Sequence, residues 1–288
     1  MASKTAQYRR YTRSKAGSVG YFTILILAGL FMVFPLFYCV ITSLKPLDEL
    51  LIFPPKFFVS RPTLSNYTVL PALLGNLQIP VSRYAFNSIF IAIVSTFLTI
   101  IACSMAAFVF SKSKIKGKKV LFVIVQVMLL YNAVTLGTPQ YLIFTGMKIV
   151  DTYWVYILPA IPSAVNCFLM KQFIDVSVPD TLMEAARIDG ANVATIYWKI
   201  VMPILKPAWM TVLLFSFQAM WGPVPGGTIF SEQLKTLPYV MSSVTAGGIA
   251  RAGSSMAITV LLMIPPIVVF LFTQSNVMET MSSSGIKE

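Results

Sequence analysis

The sequence predicts an all-α polytopic membrane protein with six transmembrane helices. Three observations predict it. Apolar stretches long enough to cross a bilayer recur six times, charged residues are confined to the connections, and lysine and arginine gather on alternate connections. Of 288 residues, 57% are hydrophobic and 11% charged, against about 25% charged in an ordinary soluble domain. Mean hydropathy is +0.78.

A crossing helix needs about 20 mostly apolar residues. The stretches that qualify are Val19–Leu44, Tyr84–Phe110, Val120–Phe144, Tyr153–Met170, Ala208–Met220 (whose ends blur) and Met256–Phe272. The first run is longer than the apolar core of a leader peptide, and no small-residue cleavage site precedes a soluble domain, so it reads as a span. Lysine and arginine outnumber acids 22 to 10. With both termini cytoplasmic, the inner segments hold Lys4, Arg9, Arg10, Arg13, Lys15, Lys112, Lys114, Lys116, Lys118, Lys119, Lys171, Arg187, Lys199, Lys206 and Lys287. Lys45, Lys56, Arg61, Arg83, Lys148, Lys235 and Arg251 fall outside. This asymmetry is the positive-inside pattern of a multi-pass protein of the cell (inner) membrane. It accounts for the basic excess without a nucleic-acid partner.

The organisation follows in order. Residues 1–18 form a basic cytoplasmic N-terminus and 19–276 the membrane domain. An outer loop at 45–83 is rich in proline and aromatics, and is read either as a partner contact or as a collar around helix ends. The basic inner loop SKSKIKGKK marks a stop between the second and third spans. Pro159, Pro162, Pro265 and Pro266 interrupt the fourth and sixth spans, predicting kinked, protein-facing helices whose freed carbonyls find partners on a neighbour. A cytoplasmic loop occupies 177–206, an irregular outer loop 222–255, and a polar cytoplasmic tail 277–288, read as disordered when alone.

Several chemistries are excluded. There is no histidine, which removes imidazole metal sites and His-dependent triads. Cys39, Cys103 and Cys167 lie inside apolar runs with no CxxC pattern, as core residues do. No metal site is expected. All ten acids, from Asp48 to Glu288, lie outside or at the margins of the apolar cores. An ion-coupled secondary transporter would need an ionisable group at depth. An intramembrane enzyme would need a nucleophile with its base or a metal. The chain is therefore read as a non-enzyme, and with no G-x-x-x-x-G-K-[ST] pattern it leaves any ATP chemistry to a partner.

One polar insert stands apart: EAARIDGANVATIYWKIVMP, Glu184–Pro203. Thr181 and Glu184 have capping-box spacing, and Asp180 adds negative charge at the same helix start. Gly190 is placed to end that helix in a left-handed conformation. Asn192 is placed to cap a second helix, which Pro203 ends or bends. Ala185 and Ala186 give the first helix a face of little bulk. Physically this is a helix–turn–helix at the inner surface, either a knuckle that docks into a groove on another protein or an interfacial pair resting on lipid.

The insert resembles the EAA signature of ABC importer permeases, E-A-A-x-x-x-G, nine further residues, then I-x-x-P. Here these are Glu184, Ala185, Ala186, Gly190, Ile200 and Pro203, with Asp189 fitting the extended form. FNSIFIAIVSTFLTIIACSMAAFVFSK is similar to the second span of the carbohydrate-type members, and SSSGIKE to their short tail, so the chain is identified with the smaller, six-span permease of the maltose-type branch. The resemblance implies a type I importer permease fold, with the insert as a coupling helix seated in an ATPase subunit through Glu184, Ala185, Ala186, Asp189, Gly190, Ile200 and Pro203. It implies as partners a second homologous permease, an ATPase dimer holding ATP and Mg²⁺, an extracytoplasmic binding protein and a carbohydrate, an oligosaccharide by preference. It also implies a tail that touches the ATPases through Gly285 and Lys287. No substrate-path residue is identified, and neutral and uronic-acid sugars both stay open because Arg83 and Arg251 sit near the outer mouth.

Overall fold

The computed structural model describes residues 15–75, 79–130, 136–222, 227–245, 248 and 251–285. These are helical and connecting segments, with no strand among them. We number the main helices α1 (Lys15–Ser43), α2 (Val81–Lys112), α3 (Lys118–Met128), α4 (Gly137–Gly146), α5 (Trp154–Ala160), α6 (Ala164–Ser177), α7 (Asp180–Ile188), α8 (Val193–Ile204), α9 (Lys206–Met220), α10 (Leu237–Thr245) and α11 (Ala252–Gly285).

Among the described residues, four stretches are long and apolar enough to cross a membrane: Gly17–Ser43, Val81–Lys112, Trp154–Ser177 and Ala252–Met278. The pair α8 and α9, bent by 78°, makes a fifth if taken as one span. The expected third span, Val120–Phe144, is represented by α3 and α4, and residues 131–135 between them lie outside the described residues. Two further expectations need correction. The 222–255 connection contains a helix, α10, because LPYVMSSV carries a cluster of apolar residues that packs against α2 and α11. The tail is helical as far as Gly285, since METMSSS contains neither proline nor glycine to stop α11. Lys287 lies outside the described residues.

α2 is the central post, packing on α5, α6 and α9. Its buried face is polar as well as apolar: Tyr84, Asn87, Ser88, Ser95, Thr96, Thr99, Cys103, Ser104 and Ala107. The proline break between α5 and α6 explains part of this. α2 hydrogen-bonds carbonyls at that break: Thr99 donates to Ala160 O (3.0 Å), and the Cys103 thiol to Ser163 O (3.5 Å), which also accepts the Cys167 N–H of α6 (2.9 Å). The expected interruption is found in the fourth span, between α5 and α6, whereas α11 runs through Pro265 and Pro266 as one continuous helix; Cys103 and Cys167 are buried.

Two apolar clusters sit toward opposite ends of α2. One gathers Ala107, Met170, Ile174, Met183, Ala186, Ile196, Val201 and Val212 from α2 and α6 to α9. The other gathers Leu70, Tyr84, Val240, Met241 and Ile258 from the 45–83 segment, α2, α10 and α11. The described residues of the 45–83 segment fold against helix ends, as the collar reading expects. Glu49 is buried and accepts N–H groups of Ser60 (2.7 Å) and Arg61 (3.4 Å), bonds that hold its carboxyl below the usual range. Asn66 donates to Ser43 O (2.8 Å) and Lys45 O (2.7 Å), pinning the collar to the end of α1.

Candidate functional site: the Glu184–Pro203 knuckle

The knuckle begins where α6 ends. The sequence anticipates a Thr181 cap, but α7 starts two residues earlier than that cap implies, at Asp180, with Pro179 in extended backbone at the cap position and no side-chain cap. Lys112, at the end of α2, takes the Asp180 carboxylate at 2.7 Å. Asp180 thereby also meets the positive end of α7, and the Lys112 bond and charge hold its carboxyl below the ordinary range. Lys171 pairs with Asp175 one turn upstream.

α7 ends as the sequence predicts. Gly190 has φ +81°, its N–H reaches Arg187 O (3.0 Å) and the Ala191 N–H reaches Ala186 O (3.0 Å). This is the Schellman pattern, open to glycine without steric cost. Asn192 then caps α8, its side-chain oxygen accepting from Thr195 N at 2.7 Å.

α8 departs from expectation in the middle. Ile196–Val201 is π-helical. Pro203 lacks the N–H that would serve Lys199 O, and its ring crowds that carbonyl, so the turns before it widen. The sharp bend lies not at Pro203 but at Leu205–Lys206, where Pro207 sits in the first turn of α9. Inside the wide turn Tyr197 is buried, shares a 2.6 Å hydrogen bond with Ser104 of α2, and lies 5.6 Å from the Phe108 ring.

The two alanines part company. Ala186 is 7% exposed and joins Met183 in the chain's own core, while Ala185 faces outward. The outward side holds Glu184, Arg187, Ile188 and Asp189, with Ile188 87% exposed. Among the described residues, Glu184, Arg187 and Asp189 form no ion pair. Ile200 is half-buried against the core, and Pro203 is exposed. The tip is an apolar point ringed by uncommitted charges, which is suited to a partner groove. Among the described residues, no three Cys, Asp or Glu side chains come together to hold a metal ion.

At the other end of α2 lies a polar hub that sequence reading missed. Asn87 is fully buried. It donates to Gln233 O (2.8 Å) and Lys235 O (2.9 Å) and accepts from the Tyr153 hydroxyl (2.8 Å). Tyr84 donates to Glu232 (2.8 Å), Tyr156 to Leu234 O (3.1 Å), and Leu237 N to Ser88 (2.7 Å). Burial opposes ionisation of Glu232, but Lys235 and Tyr84 outweigh it and its carboxyl stays below the usual range. Asp151, at φ +61°, accepts from Phe230 N (2.9 Å), Ser231 N (2.8 Å) and the Ser231 hydroxyl. These bonds, the Ser231 hydroxyl foremost, lower its pKa. The segment 228–237 is thereby strapped across the end of the bundle. The partners are about 150 residues apart in sequence, so only the Asn87–Ser88 pair, polar at the head of an apolar run, carried a signal.

No family model matches the chain. It is similar to the arabinooligosaccharides transport system permease protein AraQ of Bacillus subtilis (strain 168), 27% identical over 91% of this chain and 93% of the relative. It is also similar to the inner membrane ABC transporter permease protein YcjP of Escherichia coli (strain K12), 23% identical over 93% and 96%. In three dimensions it matches a chain of a bacterial ABC transporter involved in the import of the acidic polysaccharide alginate, with a TM-score of 0.74 over 91% of this chain and 98% of that one at 22% identity. The resemblance first read from Glu184–Pro203 therefore extends along the chain, which is similar over most of its length to permease proteins of carbohydrate ABC transporters and shares the fold of an ABC importer permease.

Proposed function

We propose that this chain is the transmembrane permease subunit of an ATP-driven importer of oligosaccharides, supplying half of the translocation path and coupling it to an ATPase dimer. The observation that carries the reading is the knuckle: a rigidly capped turn that presents Ile188 and the free charges of Glu184, Arg187 and Asp189 outward, and is wired inward to α2 through Tyr197. Such a turn transmits force, because its shape is fixed by backbone caps rather than by the contacts it makes outside. Sugar as cargo is supported by the relatives' names and by spans without deep charge.

On this reading the chain crosses the membrane six times with both termini cytoplasmic, Val120–Phe144 being the third crossing. The knuckle residues Glu184, Ala185, Ala186, Asp189, Gly190, Ile200 and Pro203 form and support the coupling helix. A second homologous permease completes the path, and an extracytoplasmic binding protein delivers the sugar. ATP and Mg²⁺ are held by the ATPase, this chain carrying no cofactor, and the end bearing Gly285 and Lys287 reaches the interface between the two ATPase subunits. The test is uptake of labelled oligosaccharides by a strain lacking the chain, complemented with the natural sequence or with Ile188→Glu. Restored uptake with the former, and loss of both uptake and ATPase co-purification with the latter at equal membrane level, is expected. Undiminished co-purification with Ile188→Glu refutes the knuckle as the docking point.

A further inference from the structure

At the end of α2 opposite the knuckle, a shallow depression of about 600 Å³ lies broadly open to the surface, lined by Ile79, Pro80, Ser82, Arg83, Phe86 and Gln233. Arg83 is the one charged residue on its wall, and among the described residues it has no acidic partner. The nearby carboxylates are already committed, Glu232 to Lys235 and Tyr84, and Asp151 to the Phe230 and Ser231 donors. The positive charge is therefore uncompensated.

It is also held in place. The guanidinium donates to the Tyr153 hydroxyl (3.3 Å) and lies 5.7 Å over the Phe86 ring. Tyr153 is itself fixed by its bond to the buried Asn87 amide. One donor of the five is used on Tyr153, leaving the fork free for a planar anion. An arginine oriented by its neighbours loses little freedom on binding. Phe86 is 55% exposed and stacks on Phe90 (ring centroids 5.8 Å, 13° between planes), making an apolar plate beside the charge. Ser82 and Gln233 add hydroxyl and amide groups that match sugar hydroxyls. A fixed cation, an aromatic plate and neutral hydrogen-bonding groups around one opening describe a ligand with an anionic group on a polyhydroxylated ring.

We propose that this depression is a recognition subsite for a sugar residue bearing a carboxylate, a uronide unit entering the permease, with Arg83 pairing with the carboxylate and Phe86 underlying the ring. The inference rests on the carbohydrate-import reading and names its substrate class.

Cells carrying the complete transporter would be given radiolabelled di- to tetrasaccharides of galacturonate, mannuronate and glucuronate, and neutral oligosaccharides of the same lengths. The transporter is expected to accumulate uronides. Arg83→Gln should lower uronide uptake at limiting concentration by about tenfold or more, with membrane level, ATPase co-purification and any neutral-sugar uptake unchanged. Arg83→Lys, which keeps the charge and loses the fork, should fall between. The binding protein is the same in every strain, so the difference belongs to the permease. Import of neutral sugars alone overturns this inference and leaves carbohydrate import standing, as does uronide uptake by Arg83→Gln equal to that of the natural sequence. Failure to import any of these sugars counts against the carbohydrate reading itself.

Discussion

Gly190→Val isolates the backbone of the knuckle. An ideal Cβ at Gly190 meets nothing within 4 Å, so the substitution introduces no clash, and the cost comes from φ +81° alone. For an L-residue that conformation costs about 1–2 kcal/mol, with β-branched residues at the upper end. The turn can escape only by giving up the Gly190–Arg187 and Ala191–Ala186 bonds, at roughly 0.5–1.5 kcal/mol each, so the penalty for valine does not exceed the strain itself, about 2 kcal/mol. Against a total stability of about 5–15 kcal/mol the chain stays folded. The knuckle's own equilibrium shifts by up to about 30-fold, since 1.4 kcal/mol is a factor of ten. The expected result is normal membrane abundance by immunoblot with oligosaccharide uptake and substrate-stimulated ATP hydrolysis reduced more than tenfold. Gly190→Asn is the control: asparagine tolerates the left-handed region, so activity should remain within about twofold of the natural protein. Full uptake in Gly190→Val, or equal loss in Gly190→Asn, refutes the backbone argument.

Gly253→Ala would place a Cβ 2.3 Å from the Asn66 side-chain oxygen, displacing the amide that ties Ser43 and Lys45; a loss of about 2–4 kcal/mol is expected. Thermal unfolding of the purified complex measures it, and adding Asn66→Ala should cost less than the two changes summed. Tyr197→Phe removes the buried bond to Ser104 at about 1–2 kcal/mol, and uptake should fall further than membrane level does. Asp151 has a lowered pKa, so the folded chain binds its proton less readily than the unfolded chain. Its contribution is present above the ordinary carboxylate range and lost as pH falls through the lowered value. Proteolysis at 228–237 should therefore be flat from neutral pH to about 5 and rise only at stronger acidity, whereas Asp151→Asn should be cleaved faster already at neutral pH.

What was legible in the sequence divides along physical lines. Composition and apolar run length placed α1, α2 and α9 within a few residues, because a helix in lipid is specified by its own side chains, whereas α6 and α11 run past the predicted ends to Ser177 and Gly285. Turn chemistry was equally local, and both Gly190 and Asn192 do what their residue types require. The failures concern direction and distance. Ala185 and Ala186 are adjacent and alike, and only the packing of α7 on α6 and α8 turns one inward. Thr181 lies inside α7, which starts at Asp180, and Asp180 pairs with Lys112, 68 positions away. The hub at Asn87 joins segments separated by about 150 residues, and the π-helical turn before Pro203 depends on how a helix relieves a crowded carbonyl.

The two polar clusters are ends of one object. α2 carries Asn87 near one terminus and Ser104 and Lys112 near the other, with Asn87 and Ser104 about 25 Å apart at 1.5 Å per residue. Unlike the helices with prolines at 35, 159, 265 and 266, α2 contains neither proline nor glycine, so it has no ready site at which to kink. A displacement of the knuckle that carries Tyr197 must either break the Ser104 bond or move α2 with it. Breaking it strands a buried hydroxyl at about 1–3 kcal/mol, and the same holds for Asn87 against the 228–237 strap. Movement of α2 as a rigid rod strands neither. On the proposed function, what an ATPase does to the knuckle is therefore felt at the strap and at the Arg83 depression beside it through α2, without any change of secondary structure between them.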